Sequence, residues 1–244
     1  MTYQERPIAL PGAVLWRRCV GPAPEVTRIL PDGCLDLLWD GRRLLVAGPD
    51  TTARQHQGQA GASYVGLRMA GGTGPALLGV PANSVRDQTP DLADLWSSGN
   101  VRVLAERVAA DPIAALEAWA VERARSREVD PFGPRLLRMA ATGTPVAVMA
   151  DRLGLSPRQL HRRCLPIFGY GARRLARVLR LGRAVQEART GVPLAQVAAG
   201  SGYADQAHLS REIRALAGTT PRGLLLELAR SSQRSKQVDW RAVR

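Results

Sequence analysis

In residues 1–75 the apolar positions fall into short runs broken by glycine and proline. The runs at 13–16, 26–30, 34–39, 44–47 and 64–69 have the length and spacing of strands. Asp40, Gly41 and Arg42 read as a tight turn between two of them. Several short strands at this spacing predict a small β-rich barrel or sandwich. The period then changes. Residues 75–78 and 91–96 read as short helices, and 101–110 and 112–127 as longer ones. In the last of these, Asp111 can cap, Pro112 takes the first helical position, and Ile113, Leu116, Ala120 and Ala124 share one face. These trailing helices are expected to form a dimer face or a spacer.

The Pro- and Gly-rich stretch 129–134 reads as a boundary, and the pattern after it is almost entirely helical. Helices are predicted at 135–141, 145–153, 157–168, 172–189, 193–201, 205–216 and 220–230. In the longest, Leu175, Val178, Leu179 and Val185 make the apolar stripe. The expected organisation is a β-rich domain over 1–130, an all-α domain over 133–230 and a mobile basic tail over 231–244. The fold class is α+β, with two domains.

The helical part contains a repeat. Residues 144–156 (TPVAVMADRLGLS) are echoed by 192–204 (VPLAQVAAGSGYA). Each copy is a short apolar helix, a turn at Gly154 or Gly202, and an arginine-bearing helix. Such a unit needs a small residue where its helices cross, and Ala150 and Ala198 supply it. The turn needs positive φ, which glycine adopts without steric cost. Ser156 with Pro157, and Asp205, read as caps of the second helices. The offset between copies is 48 residues up to the turn and 49 after it, so the second unit has one extra turn residue. Two helix-turn-helix units joined by a long helix can set two helices into successive stretches of the major groove.

Charge sharpens this picture. The chain carries a net charge of +13. Residues 1–130 hold 14 Arg and 15 Asp or Glu, whereas 131–244 hold 20 Arg or Lys and 6 Asp or Glu. The whole excess lies in the half that holds the repeat, which points to a polyanion bound by one domain. With Leu160, Cys164, Leu209 and Ile213 facing inward, the base-reading candidates are Arg158, Gln159, His161 and Arg162 in the first unit. In the second they are Gln206, Ala207, His208, Ser210 and Arg211. Arginine reads guanine bidentately and glutamine reads adenine. Arg173, Arg174, Arg177, Arg180 and Arg222 are assigned to phosphates. Cys19, Cys34 and Cys164 are scattered, so neither a disulfide framework nor a metal cluster is expected. No run is long and apolar enough for a membrane span, and the N-terminus does not read as a signal peptide. A cytoplasmic protein without a cofactor is expected.

Residues 155–163 (LSPRQLHRR) and 202–221 (GYADQAHLSREIRALAGTTP) resemble the AraC/XylS family of bacterial transcription regulators. The resemblance covers about residues 133–228. It implies two helix-turn-helix units entering adjacent major-groove segments on one face of the duplex. It also implies base-reading roles for Arg158, His161, Arg162, Gln206, Ala207, Ser210 and Arg211. Cys164, Leu209 and Ile213 depart from the aromatics common in the pattern. The N-terminal half, through residues 30–39, 65–68 and 77–82, resembles a sensor type that accompanies such DNA-binding domains. This implies an effector-binding or dimerisation domain.

Candidate effector-pocket residues are Trp16, Asp32, Cys34, Asp36, Trp39, Tyr64 and Arg68, polar groups and aromatics close to apolar runs. The expected partners are double-stranded DNA, a small-molecule effector, RNA polymerase and a second copy of the chain, with no membrane. The reading is a sequence-specific transcription regulator, activator or repressor, that catalyses nothing. Two alternatives remain. One is a DNA-repair methyl acceptor using Cys34, and the other a non-specific nucleoid-binding protein.

Overall fold

A computed structural model describes residues 2–234. Its strands, in chain order, are β1 (Thr2–Pro7), β2 (Ala13–Cys19), β3 (Glu25–Ile29), β4 (Leu35–Trp39), β5 (Leu44–Ala47), β6 (Arg54–Gly58) and β7 (Ser63–Met69). Five of them form an antiparallel sheet in the order β1-β2-β7-β4-β5, and β3 pairs with β6 in a separate ribbon. The sheets do not close into a barrel. Strands β1 and β6 are additions to the pattern read from the sequence. β6 is Arg-Gln-His-Gln-Gly and offers no apolar alternation, and β1 is an edge strand with mostly exposed side chains.

Alternation gives the large sheet two unlike faces. Ala13, Leu15, Leu35, Leu37, Leu44, Val46, Leu67 and Met69 are buried on one side. Helices α1 (Gly74–Leu78), α2 (Ser98–Ala110) and α3 (Pro112–Ser126) supply Leu77, Leu104, Val108, Leu116 and Trp119 to the same core. Each such side chain contributes about 1.5–3 kcal/mol on full burial. The two longer helices therefore complete the N-terminal core, as packed elements of that domain and not as a separate spacer. Asp111 caps α3 as expected, accepting from the Ala114 amide at 3.1 Å, with Pro112 following. The alternate positions of the sheet carry Trp16, Arg18, Asp36, Leu38, Tyr64 and Arg68, which line a cavity on the opposite side.

The remaining helices are α4 (Phe132–Ala141), α5 (Val146–Arg152), α6 (Pro157–Phe168), α7 (Ala172–Arg189), α8 (Leu194–Gly200), α9 (Gln206–Ala217) and α10 (Pro221–Arg234). Helix α7 joins two cores, giving Leu175 and Val178 to one and Leu181, Ala184 and Val185 to the other. Helix α4 begins inside the stretch read as a boundary. Phe132 is buried there, and the Gly133 backbone packs so closely on Gly72 that neither position has room for a Cβ. The connection is thus a packed junction. Helix α10 runs beyond the expected 230, and residues 235–244 of the basic tail lie outside the described residues.

The two halves are docked through polar contacts at helix ends. The Gly169 carbonyl, just past α6, accepts from Arg86 Nη1 at 3.1 Å. At the end of α9, the Leu216 carbonyl accepts from the Ala53 amide at 2.7 Å and the Ala217 carbonyl from Arg28 Nη1 at 2.7 Å. Arg28 also pairs with Glu227 of α10 at 2.8 Å. Terminal helix carbonyls lack intrahelical partners, so these donors fill a standing requirement.

Candidate nucleic-acid interface and effector cavity

Each helix-turn-helix unit is built as its residue types demand. Gly154 and Gly202 adopt φ of +62° and +74° at the turns. Met149 and Ala150 of α5, and Val197 and Ala198 of α8, are buried at the helix crossings. Leu155 is half-buried against its core and Tyr203 is buried. Ser156 and Gln159 form a reciprocal capping box, with Gln159 Oε1 accepting from the Ser156 amide at 2.8 Å. In the second unit Asp205 caps α9 by accepting from the His208 amide at 2.6 Å. Both arginine-bearing helices end on a glycine at positive φ, Gly169 and Gly218, 49 residues apart.

The candidate base-reading residues divide into two groups. Arg158, Arg162, Gln206, Ala207 and Arg211 are exposed, and the three arginines make no hydrogen bond or ion pair among the described residues. Ser210 is half-buried. The others are engaged locally. Gln159 is held in its capping box, and the His161 ring lies against Gly171 at the start of α7. His208 is edge-on to Tyr203 with ring centroids 5.3 Å apart, and its Nδ1 accepts from the Ala204 amide at 3.4 Å.

Among the candidate phosphate ligands, Arg173 and Arg222 are exposed and unengaged in the described residues. Arg174 donates to the Thr51 carbonyl at 3.3 Å, across to the N-terminal half. Arg177 makes a bidentate pair with Glu212 of α9 at 2.8 and 3.0 Å. Burial works against the Glu212 carboxylate, yet Arg177 outweighs it and leaves the acid below its ordinary range. Arg180 lies 4.5 Å over the Tyr203 ring and donates to the Gly202 carbonyl at 3.3 Å. These three arginines brace the fold, a role that spacing alone did not reveal.

A cavity of about 300 Å³ lies between the polar face of the large sheet, the β3–β6 ribbon, and helices α7 and α10. Of the expected pocket residues, Trp16, Asp32, Cys34, Asp36, Tyr64 and Arg68 line it. Trp39 does not, and packs against the N-terminal core instead. Arg68 and Asp36 stand directly opposite on β7 and β4 and meet at 3.3 Å, with Asp32 3.6 Å from Arg68. Trp16 Nε1 donates to Asp36 at 2.8 Å. Burial raises the Asp36 carboxyl, with Arg68 opposing the shift. Gly66, opposite Trp16, leaves space that the indole ring fills. Cys34 is pushed well above the usual thiol range by burial and then by Asp32. A methyl acceptor needs a thiolate, so this environment disfavours that alternative.

The cavity also has a wall the sequence did not disclose. Leu181, Val185 and Arg189 come from α7 and Leu228 from α10. Arg18, Thr27, Arg28, Arg54 and His56 add polar groups from β2, β3 and β6. No local motif marks them, because they meet only when the ribbon closes against the large sheet and the helices dock behind it.

Twin capped helix pairs with positive-φ turns, braced on one long helix, define the class: a double helix-turn-helix DNA-binding regulator with a β-rich companion domain. Residues 149–226 match a family described as a helix-turn-helix domain, and residues 13–91 match a domain of unknown function, DUF6597. The C-terminal match is to a helix-turn-helix domain of the AraC type. No curated protein matches it. Among solved structures, an apo ToxT variant from Vibrio cholerae is similar at 13% identity and a TM-score of 0.45, covering 91% of this chain and 100% of that one. ToxT from Vibrio cholerae bound to (E)-4-(8-methylnaphthalen-1-yl)but-3-enoic acid is similar at 12% identity and a TM-score of 0.43, covering 93% and 100%. Among the described residues, no helix is long and apolar enough to cross a membrane.

Proposed function

We propose that this protein is a cytoplasmic, sequence-specific transcription regulator whose two recognition helices, α6 and α9, read successive major-groove segments. The observation that carries the reading is the set Arg158, Arg162 and Arg211, exposed on matching helices and unengaged by the described residues. A guanidinium that the fold leaves free, on a helix capped and oriented by its turn, is available for bidentate contact with guanine. Arg173 and Arg222 would hold phosphates and give salt-dependent affinity without base choice.

A small-molecule effector in the cavity would control this domain. Leu181 and Val185 of α7 and Leu228 of α10 belong to the cavity wall and to the core of the second unit or its packed neighbours. A ligand there would contact the supports of α9 directly. Control requires only that it bind one arrangement of those supports more tightly than another.

Selection of bound sequences from random duplexes tests the DNA reading. The expected result is a bipartite site bound at least about a thousandfold more tightly than scrambled duplex at fixed salt. Equal affinity for all duplexes would favour the nucleoid-binding alternative.

A further inference from the structure

Five arginines line the cavity. Arg28 pairs with Glu227, Arg54 with Asp50, and Arg68 with Asp32 and Asp36. Arg18 differs. It is 8% exposed, and no carboxylate among the described residues lies within ion-pair distance of it. Its Nη2 donates to Thr27 Oγ1 at 2.5 Å, while its buried Nε has no hydrogen-bond partner. Burial lowers the Arg18 pKa, and Glu25 opposes this only through space, so the desolvation of the charge is not fully offset.

The groups around Arg18 have a definite chemistry. Arg18 stands opposite Tyr64 in the β2–β7 ladder, and Thr27 opposite His56 in the β3–β6 ladder. The His56 and Tyr64 rings meet edge-on at 5.2 Å, so the two sheets are stitched at this point. Burial lowers the His56 pKa, and the positive fields of Arg18 and Arg54 lower it further. This end of the cavity is therefore electropositive, with a neutral imidazole beside the guanidinium. Asp32, Asp36 and Asp50 line other parts of the wall, each already facing an arginine. A single negative charge suits that balance better than a dianion, which would face three carboxylates with one unpaired guanidinium.

We propose that Arg18 anchors an anion subsite and that the cavity takes a monoanionic organic acid. Its carboxylate would lie on Arg18 and its apolar body along Trp16, Leu38 and Leu30 towards Leu181 and Leu228. This proposal rests on the reading of the same cavity as an effector site.

Calorimetric titration of the full chain with hydrocinnamate, hydrocinnamyl alcohol and phenylpropylamine tests it, because the three share an apolar body and differ in charge. The wild type should bind the acid about tenfold more tightly than the alcohol, and the amine least, given the strength of charge-assisted hydrogen bonds. In Arg18→Met the acid and the alcohol should bind alike. The variant should melt no lower than the wild type without ligand, since a buried charge that is not fully offset has been removed. Arg18→Lys, which keeps the charge, should retain a preference for the acid. Equal affinity of acid and alcohol for the wild type overturns the subsite, as does a preference that survives Arg18→Met, or no binding by any of the three. Acid binding through Arg18 that leaves duplex affinity unchanged would uphold the subsite and remove effector control.

Discussion

The two helix-turn-helix units repeat one design but are embedded differently. Unit one ends at Gly169, which packs on Pro49 and is held by Arg86, and α6 lies against the 3-10 turn at Ala82–Ser84. Pro49, Ala82 and Arg86 are not part of the cavity wall. Unit two ends at Ala217, which is held by Arg28, and its core is packed by Leu30 and Leu228. Arg28, Leu30 and Leu228 all line the cavity. Sequence repetition thus conceals an asymmetry of support. The end of α6 is held by residues off the cavity wall and the end of α9 by residues on it, so regulation is expected to act through α9.

The largest expected effect tests the equivalence of the units as readers. Arg162→Ala and Arg211→Ala should each relax base preference in one half of the site by roughly 1–3 kcal/mol. Competition binding against single-base variants gives the value, and two mutants with wild-type preference would remove the assignment. The asymmetry of support is probed next by Arg28→Met. It removes the ion pair with Glu227 and the donor at the C-terminal end of α9, where a cation is favoured. A loss of about 1–3 kcal/mol is expected. Amide exchange should quicken in α9 and α10 and stay unchanged in α6; equal quickening in both recognition helices would contradict the asymmetry.

The caps give a smaller and symmetrical effect. Ser156→Ala and Asp205→Ala should each cost about 1 kcal/mol in denaturant melts. Asp50 carries a pH signature of the cavity. Burial raises its carboxyl to about 6 from an ordinary 3.8, against the pull of Arg54. The unfolded chain releases this proton near 3.8 and the folded one near 6, so the folded state binds more protons in between. Stability from this group therefore falls as pH rises through that window. In melts across that range, Asp50→Asn should remove this part of the slope, and an unchanged slope would refute the origin given. The smallest effect is expected at Arg173→Ala, which should lower the salt slope of duplex binding by about 0.9 without altering base preference. Arg177→Ala should move that slope less, because Glu212 already occupies Arg177.

The helical half was far more legible than the β-rich half, and for physical reasons. A helix-turn-helix unit is local. Its caps, turn glycine and crossing alanine lie within about 20 residues, so Ser156, Gly154 and Ala150 announce it. Helices α6 and α7 run between the residues expected, Pro157–Phe168 and Ala172–Arg189. The roles of Arg174, Arg177 and Arg180 depended on partners distant in sequence (Thr51, Glu212 and Tyr203), and a surface arginine looks the same with or without one. The strand positions of β2, β4, β5 and β7 were marked by alternation around buried residues. The ribbon strand β6 was not, because its two faces are polar. His56 lies on that strand, and Arg18 lies on β2 just past the 13–16 run expected from sequence, so both escaped notice as site residues while Trp16 and Arg68, inside expected strands, did not.

The most direct test of the double-reading geometry concerns spacing. Helix α7 has 18 residues and spans about 27 Å, and it fixes one unit relative to the other. Once a bipartite site has been selected, about five base pairs, half a helical turn, can be inserted between its halves. Helices braced on one rod should then engage only one half, and affinity should fall to that of a single half-site. Undiminished affinity for the lengthened site would contradict the claim that α6 and α9 read one face of the duplex together.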